Sequence, residues 1–133
     1  MGVPFKSTCP ADDSLVWAGP ADDAAACAAA VGRCRAAQPG WAETPLDARI
    51  AVARRFAALA RERADEVAAL IARETGKPLW ETKIEAAGIA GKVDLSIAAQ
   101  AERAGERLSP TPFGQSVLRH RPHGVLAILG PFN

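Results

Sequence analysis

Tyrosine is missing from this sequence, and phenylalanine and tryptophan number only four and three among 133 residues. The hydrophobic share of 49% is carried largely by alanine, so few side chains are large enough to fill a self-sufficient core. No stretch approaches the ~18 consecutive apolar residues of a spanning helix, which excludes an integral membrane protein of the helical kind. The opening residues 1–7 have neither the basic nor the apolar region of a signal peptide, and Lys6 breaks the myristoylation pattern. The expected address is therefore cytoplasmic, with no membrane partner. A charge excess is lacking too: 16 Lys and Arg face 15 Asp and Glu, interspersed, for a formal net charge of +1. That balance provides no electrostatic footprint for nucleic acid.

Cysteine is scarce and unpatterned. Cys9, Cys27 and Cys34 form no CxxC pair and leave one over in any disulfide scheme. Cys27 and Cys34, seven apart on one expected helix, stand about 10 Å apart by helical rise, too far to bridge. They are read as reduced, buried, small hydrophobes. No metal site is expected: Asp12 and Asp13 are most simply turn residues. No G-x-G-x-x-G follows a strand, which weighs against a free-standing dinucleotide-binding module.

What is present is helical. A short strand is expected at about 15–17, needing a sheet from elsewhere, and an Ala-rich surface helix at about 22–38, stopped by Pro39-Gly40 with Trp41 tucked under its end. Thr44 as N-cap and Pro45 at the first position open a helix at about 45–62. Its buried stripe runs through Leu46, Ile50, Ala53, Phe56, Ala57 and Ala60. A break near Arg63-Ala64 precedes a helix at about 65–75, with Val67, Leu70 and Ile71 inward. Gly76 ends it, and Pro78 starts a long helix at about 78–104. That helix carries two apolar stripes, Trp80/Ile84/Ala87/Gly91/Leu95/Ala98 and Ala86/Ala90/Val93/Ile97/Ala101, so it should be sandwiched. Gly88 and Gly91 would suit close approach of another backbone. Residues 105–114 read as a loop and 116–121 as a half-exposed strand. His120 and His123 are placed at its far end, in surface or turn roles.

The chain closes on a continuous apolar run, Val125-Leu126-Ala127-Ile128-Leu129, followed by Gly130-Pro131-Phe132-Asn133. Such a run is the habit of a strand buried on both faces of a parallel sheet, whose carboxyl end opens on a ligand crevice. A buried strand needs neighbours on both edges, and no second run of this kind occurs. The expectation is thus the leading piece of a larger protein.

Three motifs carry a resemblance. Arg73-Glu74-Thr75-Gly76-Lys77-Pro78, the turn Arg121-Pro122-His123-Gly124-Val125 and the closing Gly130-Pro131-Phe132-Asn133, in this order and spacing, resemble the amino-terminal quarter to third of the aldehyde dehydrogenase superfamily. The resemblance implies an α/β fold of which residues 1–133 are an incomplete, mostly helical amino-terminal portion of the NAD(P)-binding domain, ending in the first buried strand of a Rossmann-like sheet. It implies an aldehyde substrate oxidised to an acid, NAD or NADP as cofactor, and a homo-oligomer for the whole enzyme. The run Leu118–Val125 is shared with a branch whose substrate is a semialdehyde of arginine catabolism.

By the same resemblance, Asn133 matches the family's asparagine that donates an N–H to the oxyanion of the tetrahedral intermediate. Taken alone, an Asn after Pro-Phe is a turn residue. Leu129, Gly130, Pro131 and Phe132 match the segment lining the cofactor crevice. The nucleophilic cysteine, the general base and the phosphate-binding turn lie downstream in the family, so these 133 residues alone are expected to be inactive and to bind the cofactor poorly. The three cysteines match no nucleophile motif. The competing expectation is a non-enzymatic helical interaction module, its three amphipathic helices packing on each other and its tail strand augmenting a partner's sheet.

Overall fold

The computed structural model describes residues 4–130. In chain order it runs β1 (Pro4–Thr8), β2 (Leu15–Pro20), α1 (Ala24–Glu43), α2 (Leu46–Glu62), α3 (Ala64–Thr75), α4 (Leu79–Arg103), β3 (Arg107–Thr111) and β4 (Gly114–Leu118). It is mostly helical, with two separate two-stranded antiparallel sheets, β1-β2 and β3-β4.

The centre is a three-helix arrangement in which α4 packs against both α2 and α3. Its buried side chains are small. Ala57 of α2, Ala68 of α3, and Thr82, Ala86 and Ala90 of α4 are the fully buried members. Thr82, Ala86 and Ala90 recur every four residues, one ridge of the helix. Short side chains there let the helix axes approach closely, and the larger apolar groups are pushed to the margins. Phe56 and Leu70, expected inside, are for that reason about half exposed. The Thr82 hydroxyl removes its own polarity by donating to the Leu79 carbonyl at 3.1 Å. Arg61–Asp94 (2.9 Å) and Lys83–Asp65 (3.3 Å) tie α4 to α2 and α3 across exposed edges, where such pairs contribute little.

The helix stops follow local chemistry. Arg63 is at once the end of α2 and the start of α3, its φ of −104° and ψ of 18° breaking the helical path. Its guanidinium donates in parallel to both Glu66 carboxylate oxygens, at 2.8 and 2.7 Å. Gly76 caps α3 in the left-handed region at φ 72°.

Several expectations are corrected. Helix α1 runs through Pro39-Gly40 to Glu43; proline's φ suits a helix, and its missing N–H leaves an unpaired carbonyl that an exposed helix can hydrate. Thr44 does not cap α2. It closes α1 instead, its N–H donating to the Trp41 carbonyl at 3.2 Å and its hydroxyl to the Gly40 carbonyl at 2.9 Å, while Pro45 precedes α2. Trp41 is half exposed rather than tucked. Cys27 and Cys34 are exposed because α1 has no buried residue, and only Cys9 is buried.

The strands differ more. The β2 strand needs no distant sheet, since it pairs with β1 from Pro4↔Pro20 to Ser7↔Trp17. Residues 105–114 are not all loop: β3 and β4 form a hairpin, Arg107↔Leu118 to Thr111↔Gly114, turning through Pro112-Phe113. Pro110 is tolerated because a two-stranded ladder is all edge. Arg119 lies beyond β4 and pairs with Glu106 at 3.1 Å across the hairpin's open end. The strand expected at 125–129 is not formed. Val125 is half-buried and residues 126–130 are exposed, without ladder partners among the described residues. An apolar run becomes a strand only by pairing, and neither two-stranded sheet extends its ladder to this run.

Candidate functional site

The segment that carries the candidate site leaves β4 at Leu118 and turns at Gly124, whose φ of 94° demands glycine. It then lies against the carboxyl-terminal half of α1. Val125 and Leu126 share an apolar groove with Cys34, Ala37 and Trp41. On its polar side His123 and Gly124 face Arg35 and Gln38. His123 is thus at the turn, as expected from the sequence, and not at the expected crevice.

Beyond Leu126 the run is open. Ile128 is 86% and Leu129 96% exposed, and a Cβ on Gly130 would meet nothing within 4 Å. Leu129 and Gly130 stand together in sequence, both exposed. Pro131, Phe132 and the expected oxyanion donor Asn133 lie outside the described residues. Among the described residues no group of three His, Cys, Asp or Glu is arranged to hold a metal, and no helix is long and apolar enough to cross a membrane.

The Arg73–Pro78 motif proves to be an anchor. Arg73 Nη2 donates to the Leu15 carbonyl at 3.0 Å, and Ser7 Oγ donates to Glu74 Oε1 at 3.0 Å. Between them they clip the β1-β2 hairpin to the end of α3. Thr75 Oγ1 donates to the Ile71 carbonyl at 2.7 Å and accepts from the Lys77 N–H at 3.3 Å. Lys77 Nζ bonds Glu85 of α4, joining the α3 end to the next helix, and that hydrogen bond is the main cause holding the ammonium's pKa above its ordinary value. The hairpin loop is shaped by Asp12, whose Oδ1 accepts from the Ser14 N–H at 3.0 Å; hydrogen bonds from Ser14 hold its carboxyl below the usual value. Sequence reasoning used this motif as a signature and missed the hairpin it grips. The signal that was available is the pair of aromatics Phe5 and Trp17 on either side of the Asp12-Asp13 turn, whose rings meet at 6.0 Å.

The aldehyde dehydrogenase family model matches residues 2–133, so this chain belongs to the aldehyde dehydrogenase family. Over 132 residues it is 52% identical to the N-succinylglutamate 5-semialdehyde dehydrogenase of Burkholderia pseudomallei, covering 99% of this chain and 27% of that protein. Among solved structures, the succinate-semialdehyde dehydrogenase from Burkholderia pseudomallei superposes with a TM-score of 0.75 at 31% identity, over 83% of this chain and 23% of that one. A NAD-dependent benzaldehyde dehydrogenase from Corynebacterium glutamicum gives a TM-score of 0.73 at 27% identity, over 82% and 24%. The chain therefore spans about a quarter of the length of the relatives it matches.

Proposed function

We propose that these residues are the amino-terminal part of the cofactor-binding domain of a cytoplasmic, homo-oligomeric NAD(P)-dependent aldehyde dehydrogenase. Its substrate is N-succinylglutamate 5-semialdehyde, oxidised to N-succinylglutamate in arginine catabolism. The observation that carries this reading is the 52% identity, sustained over 132 residues, to proteins bearing that name.

The contribution of this chain to such a reaction is positional. Asn133 supplies an amide N–H to the oxyanion that forms when a thiolate adds to the aldehyde carbonyl, and Leu129 to Phe132 form a wall of the crevice beside it. A nicotinamide cofactor accepts hydride in this chemistry. The described residues do not by themselves enclose one: Leu129 is 96% exposed and a Cβ on Gly130 would meet nothing within 4 Å, whereas a cofactor site is concave and buries most of its ligand. Binding, thiolate attack and thioester hydrolysis accordingly rest on the rest of the fold. The test is a chimera joining residues 1–133 to the remaining three-quarters of the Burkholderia pseudomallei relative. It should oxidise N-succinylglutamate 5-semialdehyde in preference to benzaldehyde. Asn133→Ala should lower kcat by about 10²- to 10³-fold with KM little changed, the loss expected for one oxyanion donor. A chimera with intact kcat after that substitution would remove Asn133 from the site.

The competing reading, a non-enzymatic helical module, is favoured by one feature: α2, α3 and α4 enclose a core of their own, with Ala57, Ala68, Ala86 and Ala90 all buried. An active chimera is the outcome that would dismiss it.

A further inference from the structure

The substrate proposed above carries two carboxylates remote from its aldehyde. Holding one of them takes a cation that no carboxylate of the protein already occupies, beside an apolar surface for the chain that bears it. The hollow between the end of α3 and the middle of α4 offers both. Its volume is about 510 Å³ and its lining is Ile71, Lys77, Glu85, Gly88, Ile89 and Lys92, within the ~300–1,000 Å³ of small-molecule sites.

The helical repeat builds this lining. Glu85, Gly88, Ile89 and Lys92 stand at i, i+3, i+4 and i+7 of α4 and so share one face, while Ile71 and Lys77 come from α3 and its end. Gly88 leaves space open, since a Cβ there would meet nothing within 4 Å. Of the three charges, two cancel: Lys77 Nζ bonds Glu85, with part of both side chains shielded. Lys92 makes no ion pair among the described residues, which leaves one net positive charge. An ammonium has three N–H donors, and Glu85 takes one of those on Lys77, so a fixed donor remains for a ligand oxygen. Other hollows with a cation fall short. Lys6 is the sole polar side chain in its lining; Arg63 is bound in parallel to both oxygens of Glu66; and the hollow of Arg35 and His123 has Val125 as its one apolar side chain.

We propose that the α3–α4 hollow binds the carboxylate of an aliphatic chain, Lys92 supplying the charge and Lys77 a spare N–H, with Ile71 and Ile89 against the methylenes. The carboxylate comes either from the far end of the substrate or from a free acid acting on the enzyme. In the first case the inference rests on the substrate reading above; in the second it does not.

Two independent measurements test it. In the chimera, Lys92→Gln should lower kcat/KM for N-succinylglutamate 5-semialdehyde by about tenfold relative to that for hexanal, which has no carboxylate, and the loss should appear in KM. Lys92→Arg should restore most of it. In the 133-residue chain, which contains the whole lining, titrated succinate should shift the Ile89 methyl signals saturably by NMR, and Lys92→Gln should abolish that shift. A change in the kinetic ratio identifies the substrate's own carboxylate. Lys92-dependent succinate binding with no change in the ratio identifies a free acid, and the same binding with a chimera that ignores N-succinylglutamate 5-semialdehyde defeats the substrate reading while leaving the site standing. The inference is overturned if the ratio does not change, or the chimera is inactive, and succinate shifts nothing, or shifts Ile89 no more than the uncharged succinamide does.

Discussion

Two constraints meet at Gly76. Its φ of 72° is a conformation that other residues adopt at a cost of roughly 1–2 kcal/mol, and a Cβ there would stand 2.9 Å from Pro10 Cγ. The helix stop and the hairpin contact therefore require the same residue. One position later Lys77 holds Glu85, with part of both side chains shielded. The hydrogen bond raises the lysine pKa, so the pair's stabilisation is fully present below the ordinary lysine value and is lost as pH rises through the raised one. NMR titration of the Lys77 side chain should show a midpoint above the ordinary lysine value, and Glu85→Gln should lower it toward that value. A midpoint indifferent to that substitution would mean the pair does not persist in solution.

At the level of elements, the helices were legible and the sheets were not. Apolar spacing and stop signals located α2, α3 and α4 to within a residue or two, because Gly76, Pro78 and the Arg63 break act locally. Helix α1 overran its apparent stop because Pro39 costs an exposed helix only one hydrogen bond. The hairpins escaped because nothing in Arg107–Thr111 or Pro4–Thr8 alternates between core and solvent; their order comes from strand pairing and, for β1-β2, from side chains of α3 far along the sequence. The tail failed in the opposite sense: its run of five apolar residues was expected as a buried strand, and no strand forms at 125–129. Of the candidate site, only Leu129 and Gly130 fall among the described residues, and both are exposed. The β1-β2 hairpin, by contrast, depends on two identifiable clips. Arg73→Ala removes one and should expose the amides of β2 to hydrogen exchange by about tenfold or more, while those of α4 stay protected. Equal protection in the variant would show that ring packing at Phe5 and Trp17 is enough to hold the strands.

For the molecule as a whole the quantity that matters is area. An unfolded chain of 13.9 kDa exposes about 20,000 Å². With 10662 Å² still exposed after folding, this chain buries about 9,500 Å², against about 13,500 Å² for a compact domain of its mass. The urea m-value scales with the area that unfolding exposes. The 133-residue chain should therefore unfold with an m-value about 0.7 times that of a compact domain of equal length, and its chimera with the rest of a relative should recover a full value per residue. An m-value for the short chain already equal to that of a compact domain would mean that α1, the β3-β4 hairpin and the tail from Leu126 find cover within these 133 residues, and that the helices form a complete module rather than one layer of a dehydrogenase.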